Sequence, residues 1–251
     1  MPEGLHQEIE PQPTKKIVAK FRRHFDPKKD PKTMFSLDEL SEKGVDQAKQ
    51  IGQELLVPDS GIAGRHSPKE RAKESVNLEL ETAKELGRFN IRERKEFDTI
   101  DINSSPEAKT EYTRISQEQG FDAAVQYLLD TPLLEEARKK VATSIASEVN
   151  HYIRYIDKAK EGTDLGIENV THGPNLEVFL KNTIKKDGKT GFDKLEEIGG
   201  AFKPGEEFSL NVEQYGDGSK KVSIGLRNNE YDLDLNKIHE LSEEYRASKR
   251  E

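Results

Sequence analysis

Ile17-Val18-Ala19-Lys20-Phe21-Arg22-Arg23-His24 reads as a short strand that ends on a cation and an imidazole. Two later segments share that design. Gly61 to Ala72 contains His66-Ser67-Pro68 followed by Arg71-Ala72, and Ile167-Glu168-Asn169-Val170-Thr171-His172-Gly173-Pro174 closes on a second imidazole. Each runs from a predicted strand into a predicted helix. Strands alternating with helices build a parallel sheet, and the carboxyl ends of its strands converge at a topological switch point. Arg23, His24, Arg71 and His172 are therefore expected to meet there.

The order of these boxes resembles the histidine phosphatase superfamily, the phosphoglycerate-mutase-like fold. In that family an Arg-His-Gly box follows the first strand, Ser-Pro-x-x-Arg-Ala opens a later helix, and a second His-Gly follows a late strand. Leu40-Ser41-Glu42-Lys43-Gly44 also fits the Leu-Thr-x-x-Gly start of the family's first helix, so the likeness spans Ile17 to about Leu180. Three positions depart from the pattern. Phe25 replaces the usual Gly, His66 stands where Ser is commoner, and Ser75 replaces a Thr four residues after Arg71. The resemblance implies an α/β three-layer sandwich with a mostly parallel central sheet, a helical insertion and a C-terminal antiparallel hairpin.

Composition narrows the function classes. The 251 residues accommodate one large α/β domain or two small ones, and the interleaved strand and helix signals favour one domain with an insertion. Apolar residues are 32% and charged residues 35%, which leaves long helical faces in water around a lean core. A net charge of −8 argues against a nonspecific nucleic-acid binder, whose affinity comes from clustered Lys and Arg. No apolar run approaches the length of a membrane span and the N-terminus lacks the apolar core of a secretory signal, so the expectation is a cytoplasmic protein without a membrane partner. With no Cys there is neither a disulfide nor a thiolate metal site.

Residues 1–15 are polar, carry three prolines, and are expected to be a disordered leader to a single domain over 16–251. Asp26 to Thr33 reads as a Pro- and Lys-rich loop. Ser36 with Glu39 offers a cap for a helix running to about Leu56, with the apolar stripe Leu40, Val45, Ala48, Ile51 and Leu55. Ser67-Pro68 is expected to cap a helix through Leu86. Gly87 to Asn103 reads as strand and loop. Two long helices, about Pro106 to Leu129 and Leu133 to Lys160, form the insertion at about 106–160; by the family resemblance it packs over or beside the site, and an extra helical hairpin covering only the sheet is the competing reading. Beyond a Gly- and Lys-rich loop, Phe208, Leu210 and Val212, the turn Gly216-Asp217-Gly218, and Val222, Ile224 and Leu226 form an antiparallel hairpin, followed by an amphipathic helix using Ile238, Leu241 and Tyr245.

The chemistry follows from residue types. Guanidiniums bind phosphoryl oxygens in a fixed fork and keep their charge, which makes Arg23 and Arg71 the candidate phosphate clamp. An imidazole with one nitrogen held by an acceptor can attack phosphorus with the other, so His24 is the candidate nucleophile, and His172 would donate to the transferring oxygens. Protonating the leaving alkoxide needs a carboxylic acid. Glu93, in Ile91-Arg92-Glu93-Arg94, aligns with the family's acid, with Glu96 and Asp98 as fallbacks and a solvated carboxylate as the competing reading. Lys20, Arg22, Arg65 and Arg94 are candidates for widening the positive field or for plain solvated charges, and His66 for lining or capping the pocket. His6, His151 and His239 have no metal-ligand spacing.

These features imply a metal-independent phosphomonoester hydrolase with a phosphohistidine intermediate, no cofactor, and a small phosphorylated substrate as partner. Two alternatives are a phosphoglycerate-mutase-type phosphotransferase and a catalytically weak relative that binds a phospho-ligand or a protein. Phe25 to Phe35 does not resemble the substrate loop of those mutases, which favours hydrolysis. Neither the substrate's identity nor an oligomeric state is encoded in the boxes.

Overall fold

In a computed structural model of the chain, Lys15–Arg23 forms strand β1, with Ile17, Ala19 and Phe21 fully buried on one face. The described residues are 12–31, 36–55, 58, 60–87, 91, 95–96 (backbone only), 105–186 and 188–250. In chain order the further strands are β2 (Pro27–Lys29), β3 (Ser36–Leu40), β4 (Ile62–His66), β5 (Lys95–Glu96), β6 (Asp164–Thr171), β7 (Ile184–Lys186), β8 (Lys189–Thr190), β9 (Glu207–Gln214), β10 (Lys220–Leu226) and β11 (Asn229–Leu233). The helices are α1 (Glu42–Glu54), α2 (Glu70–Glu85), α3 (Pro106–Glu118), α4 (Phe121–Asp130), α5 (Glu135–Lys158), α6 (Asn175–Thr183) and α7 (Leu235–Ser248).

Among the described residues nine strands form one sheet, in the order β5-β4-β6-β1-β9-β10-β11-β7-β8, and β2 pairs with β3 in a separate hairpin. The neighbours β5, β4, β6 and β1 are parallel, whereas β9 and the strands beyond it pair antiparallel. One face of β1 and β6 packs Ile17, Ala19, Phe21, Leu165 and Ile167 against α4 to α7, in a core where Phe21 stacks on Phe208 at 5.0 Å and Phe208 on Phe179 at 5.8 Å. Such aromatic pairs contribute about 0.5–1.5 kcal/mol beyond their burial. The opposite face receives α2, through Ala72, Val76, Leu80 and Ala83 against Ile62 and Val170. These are the three expected layers, and the period-2 alternation of each strand decides which side chains enter which layer.

Five local expectations are corrected. Residues 36–40 are strand rather than helix, and α1 is capped by Ser41, whose hydroxyl accepts from the Gly44 amide at 3.1 Å, so the Leu40–Gly44 box marks the start that the Ser36–Glu39 pair does not. Asp26 to Thr33 includes strand β2, which β3 pairs with. Ser67 does not cap α2, which begins at Glu70 after Lys69 without a side-chain cap, because the Ser67 hydroxyl is committed elsewhere. The first long insertion helix is broken at Gly120, whose φ of 94° lies outside a helix, giving α3 and α4. The segment after Leu180 is more than a loop, since β7, β8 and a 3-10 turn at Leu195–Ile198 lie within it. Lys15 belongs to β1, and the Thr14 amide donates to the Gln214 carbonyl at 2.8 Å, so both residues are part of the sheet's edge contacts.

Candidate active site

The carboxyl ends of β1, β4 and β6 are neighbours in the sheet and deliver His24, Ser67 and His172 to one place. The ladder fixes their backbones: the His24 amide donates to the Thr171 carbonyl at 2.9 Å, and the Ser67 amide to the Val170 carbonyl at 3.0 Å. Arg71 enters from the first turn of α2. The rings of His24 and His172 stand edge to face, 5.4 Å apart and at 80°.

His24 Nδ1 lies 2.7 Å from its neighbour's carbonyl, Phe25 O. A carbonyl only accepts, so Nδ1 carries the proton and Nε2 keeps a lone pair. Arg71 Nε donates to that Nε2 at 3.0 Å. Burial, then the charges of Arg71 and Arg23 and the nearby His172, hold the His24 imidazole well below the ordinary histidine range. His172 is pulled down to about 3, by burial first and then by Arg71, Lys69 and Arg23. Both rings are therefore neutral at pH 7. His172 Nδ1 is 3.1 Å from Ser67 Oγ, and its Nε2 is buried with no hydrogen-bond partner among the described residues.

Arg23 donates from Nη1 to Phe202 O at 2.6 Å and lies over the Phe121 ring at 5.1 Å, while its Nε is buried without a hydrogen-bond partner among the described residues. Its path depends on Gly173, where a Cβ would meet Arg23 Cδ at 3.0 Å and Nε at 3.1 Å. Arg71 donates from Nη1 to Leu37 O at 3.1 Å and lies 4.0 Å from Asp38 Oδ1, so the β2–β3 hairpin orients it. A cavity of about 300 Å³ opens over these groups, lined by Arg23, His24, Arg71 and Gly173, by Ser36 and Asp38 of β3, by Lys69, and by Lys109, Tyr112 and Thr113 of α3. The insertion thus divides its labour: α3 reaches the cavity, and α5 covers the sheet.

The structure brings together four of the five residues singled out for the site. The fifth, Glu93, lies outside the described residues, as do Asp98, Arg92, Arg94 and the Glu96 side chain; β5 places the backbone of Glu96 beside His66. Phe25 is not among the residues lining the cavity; it is 1% exposed and packs with Leu40 and Ala48. The Phe25 amide donates to Ser75 Oγ at 3.3 Å, and Ser75 Oγ donates to Arg71 O at 2.7 Å, tying the first box to α2. His66 does not line the cavity; its Nδ1 is 2.9 Å from Ser67 O. Arg65 pairs with Glu148 and lies over Tyr152, and Lys20 pairs with Glu168 and Glu207. His151 stacks near Tyr152 and Tyr155, and His239 is exposed on α7.

Sequence reasoning missed the partners that position these groups: Ser67, Asp38, Phe121, Phe202 and Glu177. Glu177 had a signal, being a carboxylate amid the apolar run Leu176 to Leu180; it is fully buried, accepts from the Phe202 amide at 2.8 Å, and so holds the loop whose carbonyl receives Arg23. Burial pushes its carboxyl up. Among the described residues no cluster of three or more His, Asp or Glu could hold a metal ion.

No family model matches the chain, and no curated protein matches its sequence. Solved structures do match. The native structure of mycobacterial glucosyl-3-phosphoglycerate phosphatase is 16% identical with a TM-score of 0.47, over 88% of this chain and 97% of that one. A putative alpha-ribazole-5'-P phosphatase from Escherichia coli is 12% identical with a TM-score of 0.45, over 84% and 97%. The protein histidine phosphatase SixA complexed with tungstate is 13% identical with a TM-score of 0.39, over 86% and 96%.

Proposed function

We propose that the chain is a phosphomonoester hydrolase in which His24 is the nucleophile. The observation that carries this reading is the Nδ1–H contact to Phe25 O, which leaves a lone pair on Nε2 of a buried, neutral imidazole between two guanidiniums. In the first step Nε2 forms a bond to phosphorus and the bond from phosphorus to the alcohol oxygen breaks. Arg23 and Arg71 hold the equatorial oxygens, on which negative charge spreads in the transition state. The Ser67 hydroxyl donates to His172 Nδ1, which keeps the ring proton on Nε2, where it faces those oxygens. Glu93 protonates the leaving alkoxide, with Glu96 and Asp98 as the other candidates. In the second step the carboxylate formed in the first takes a proton from water as the water oxygen bonds to phosphorus, the P–N bond breaks to restore the Nε2 lone pair, and phosphate leaves. Two guanidiniums and an imidazole donor supply the charge stabilisation, so the proposal requires no metal.

A second reading draws on the same geometry. While Arg71 Nε donates to His24 Nε2, the attacking lone pair is occupied, and a chain that kept this contact with ligand bound would be a phospho-ligand binder with weak turnover. Phosphoryl oxygens carry more charge than an imidazole nitrogen and compete for the guanidinium, which favours the hydrolase. The test is 4-nitrophenyl phosphate turnover together with acid-quench trapping of an acid-labile phosphoenzyme. Native protein should show both, and His24→Ala should lose both, by more than about a thousandfold in rate. A phosphoenzyme that survives in His24→Ala refutes the assignment. Phosphate binding without turnover in the native protein establishes the binding relative.

A further inference from the structure

Arg23 is gripped by one loop through both its side chain and its backbone. Its Nη1 donates to Phe202 O at 2.6 Å, its amide donates to Glu206 O at 2.9 Å, and its carbonyl accepts from the Gly205 amide at 3.1 Å. The place of residues 202–206 therefore sets the place of the guanidinium. A connecting loop is mobile unless something fastens it. Glu177 fastens this one from inside, through the Phe202 amide.

The outer hold is Arg227. Its Nη1 donates to Ile198 O at 2.7 Å and to Gly200 O at 2.8 Å, and its Nη2 donates to Ala201 O at 3.0 Å and to Glu206 Oε2 at 2.7 Å. The same guanidinium lies over the Phe202 ring at 5.2 Å. One planar fork thus fastens the chain on both sides of the carbonyl that receives Arg23, which the single ammonium of a lysine cannot do. Gly199 leaves room for it, since a Cβ there would meet Arg227 Nη1 at 3.1 Å and Cδ at 3.2 Å.

The backbone of Arg227 is a second, independent sign. Leu226 pairs with Asn229, so Arg227 and Asn228 form the two-residue turn between β10 and β11, with φ angles of 49° and 66°. Such a turn favours Asn-Gly, because left-handed backbone crowds a bulky side chain. An arginine persists in that conformation where its surroundings over-determine it, and here they are the carbonyls of residues 198–201. Arg227 itself does not line the cavity.

We propose that Arg227 is a positioning residue for the phosphate site: from the β10–β11 turn it fixes the loop that sets Arg23, so that anion affinity depends on a guanidinium outside the cavity. This rests on the reading of the cavity as a phosphoryl site. The competing role is a cap on the 3-10 turn at Leu195–Ile198 that contributes stability alone.

The test titrates the full chain with inorganic phosphate by calorimetry, as native protein and as Arg227→Lys and Arg227→Met. Lysine keeps the charge and loses the fork, which separates positioning from long-range attraction. Both variants should weaken phosphate binding about tenfold and lower kcat/KM for 4-nitrophenyl phosphate by a similar factor. Arg227 lies at a surface turn with its side chain 24% exposed, so both should fold. Glu177→Gln keeps an acceptor for the Phe202 amide and should stay within about twofold of native, whereas Glu177→Leu should behave like Arg227→Lys. In an Arg23→Lys background Arg227→Lys should have little further effect, because the side chain it positions has already changed. A lowered melting temperature with phosphate affinity within about twofold of native identifies a cap and overturns the inference. A loss that recurs in full in the Arg23→Lys background shows a route other than Arg23 and also overturns it. If phosphate binding responds as expected but 4-nitrophenyl phosphate is not turned over, the hydrolase reading falls and this one stands. If the native protein binds no phosphate, both fall.

Discussion

Arg22 and Arg23 are adjacent on one strand and have opposite fates. Arg22 points to the α2 face, where it is 1% exposed, ion-paired with Glu79 at 2.6 Å and Glu168 at 3.2 Å, and donates to Glu207 through Nε at 2.7 Å. Arg23, one residue on, meets a carbonyl, a ring and a glycine, with no carboxylate ion pair among the described residues. Burial pulls both guanidiniums down, but the three carboxylates more than offset it for Arg22 and raise it, whereas Arg23 stays lowered. The difference separates a charge spent on the fold from one left for a ligand. A cation already enclosed by three carboxyl groups has nothing to offer a phosphate.

The sharpest way to break that comparison is to remove each charge. Arg22→Met leaves Glu79 and Glu168 buried without their partner and should cost about 3–5 kcal/mol of stability. In a chain of this size that lowers the melting temperature by roughly 10 °C, while activity per folded molecule persists. A melting temperature within about 2 °C of native would show the cluster to be unimportant.

Arg71→Ala should do the reverse, cutting kcat/KM for an aryl phosphate by about 10²–10³ with little loss of stability. Near-native rates in this variant would place Arg71 outside the site.

The two regions should also titrate in opposite directions. His24 and His172 have folded pKa values below the unfolded one near 6.5, so the unfolded chain binds more protons in acid. Their contribution to stability is intact above about pH 6.5 and is lost as pH falls toward about 3, the value for His172. Glu168 is opposite: burial, partly offset by Arg22, pushes it up to about 8. The folded chain then holds a proton that the unfolded chain has released, so stability declines as pH rises from about 4.5 to about 8. Urea denaturation across this range should show Glu168→Gln gaining on the native protein as pH increases. A constant offset between the two would refute the assignment of the buried proton.

The smallest effect concerns Phe25. Because its ring packs on Leu40 and Ala48 behind the cavity, Phe25→Leu should cost on the order of 1 kcal/mol and leave vanadate affinity unchanged. A change of affinity beyond about threefold would mean that the ring reaches the ligand.

How much of this was legible beforehand differs by residue. The strands bearing His24, Ser67 and His172 could be read because each carries several apolar residues within a short segment that ends on polar ones, and such patterns are local. Arg71 was legible from its place just inside a helix. By contrast, Ser36 and Glu39 carry a sound local capping signal, yet residues 36–40 became a strand because β2 offered a backbone partner. Ser67 carried a capping signal too, and lost that role to His172, 105 positions away in sequence.

Local sequence settles the alternating elements, the order of the boxes, and the residue types at three strand ends, since hydrophobic period and turn chemistry act between near neighbours. Tertiary structure alone decided which arginine keeps a usable charge. Glu79, Glu168 and Glu207 come from α2, β6 and β9, far apart in the chain, and only the sheet order brings them to Arg22. The alternation of β1 then turns Arg23 away from all three. Pairing between charges depends on distance in space and on exclusion of water, and neither is written in the spacing of residues along the chain.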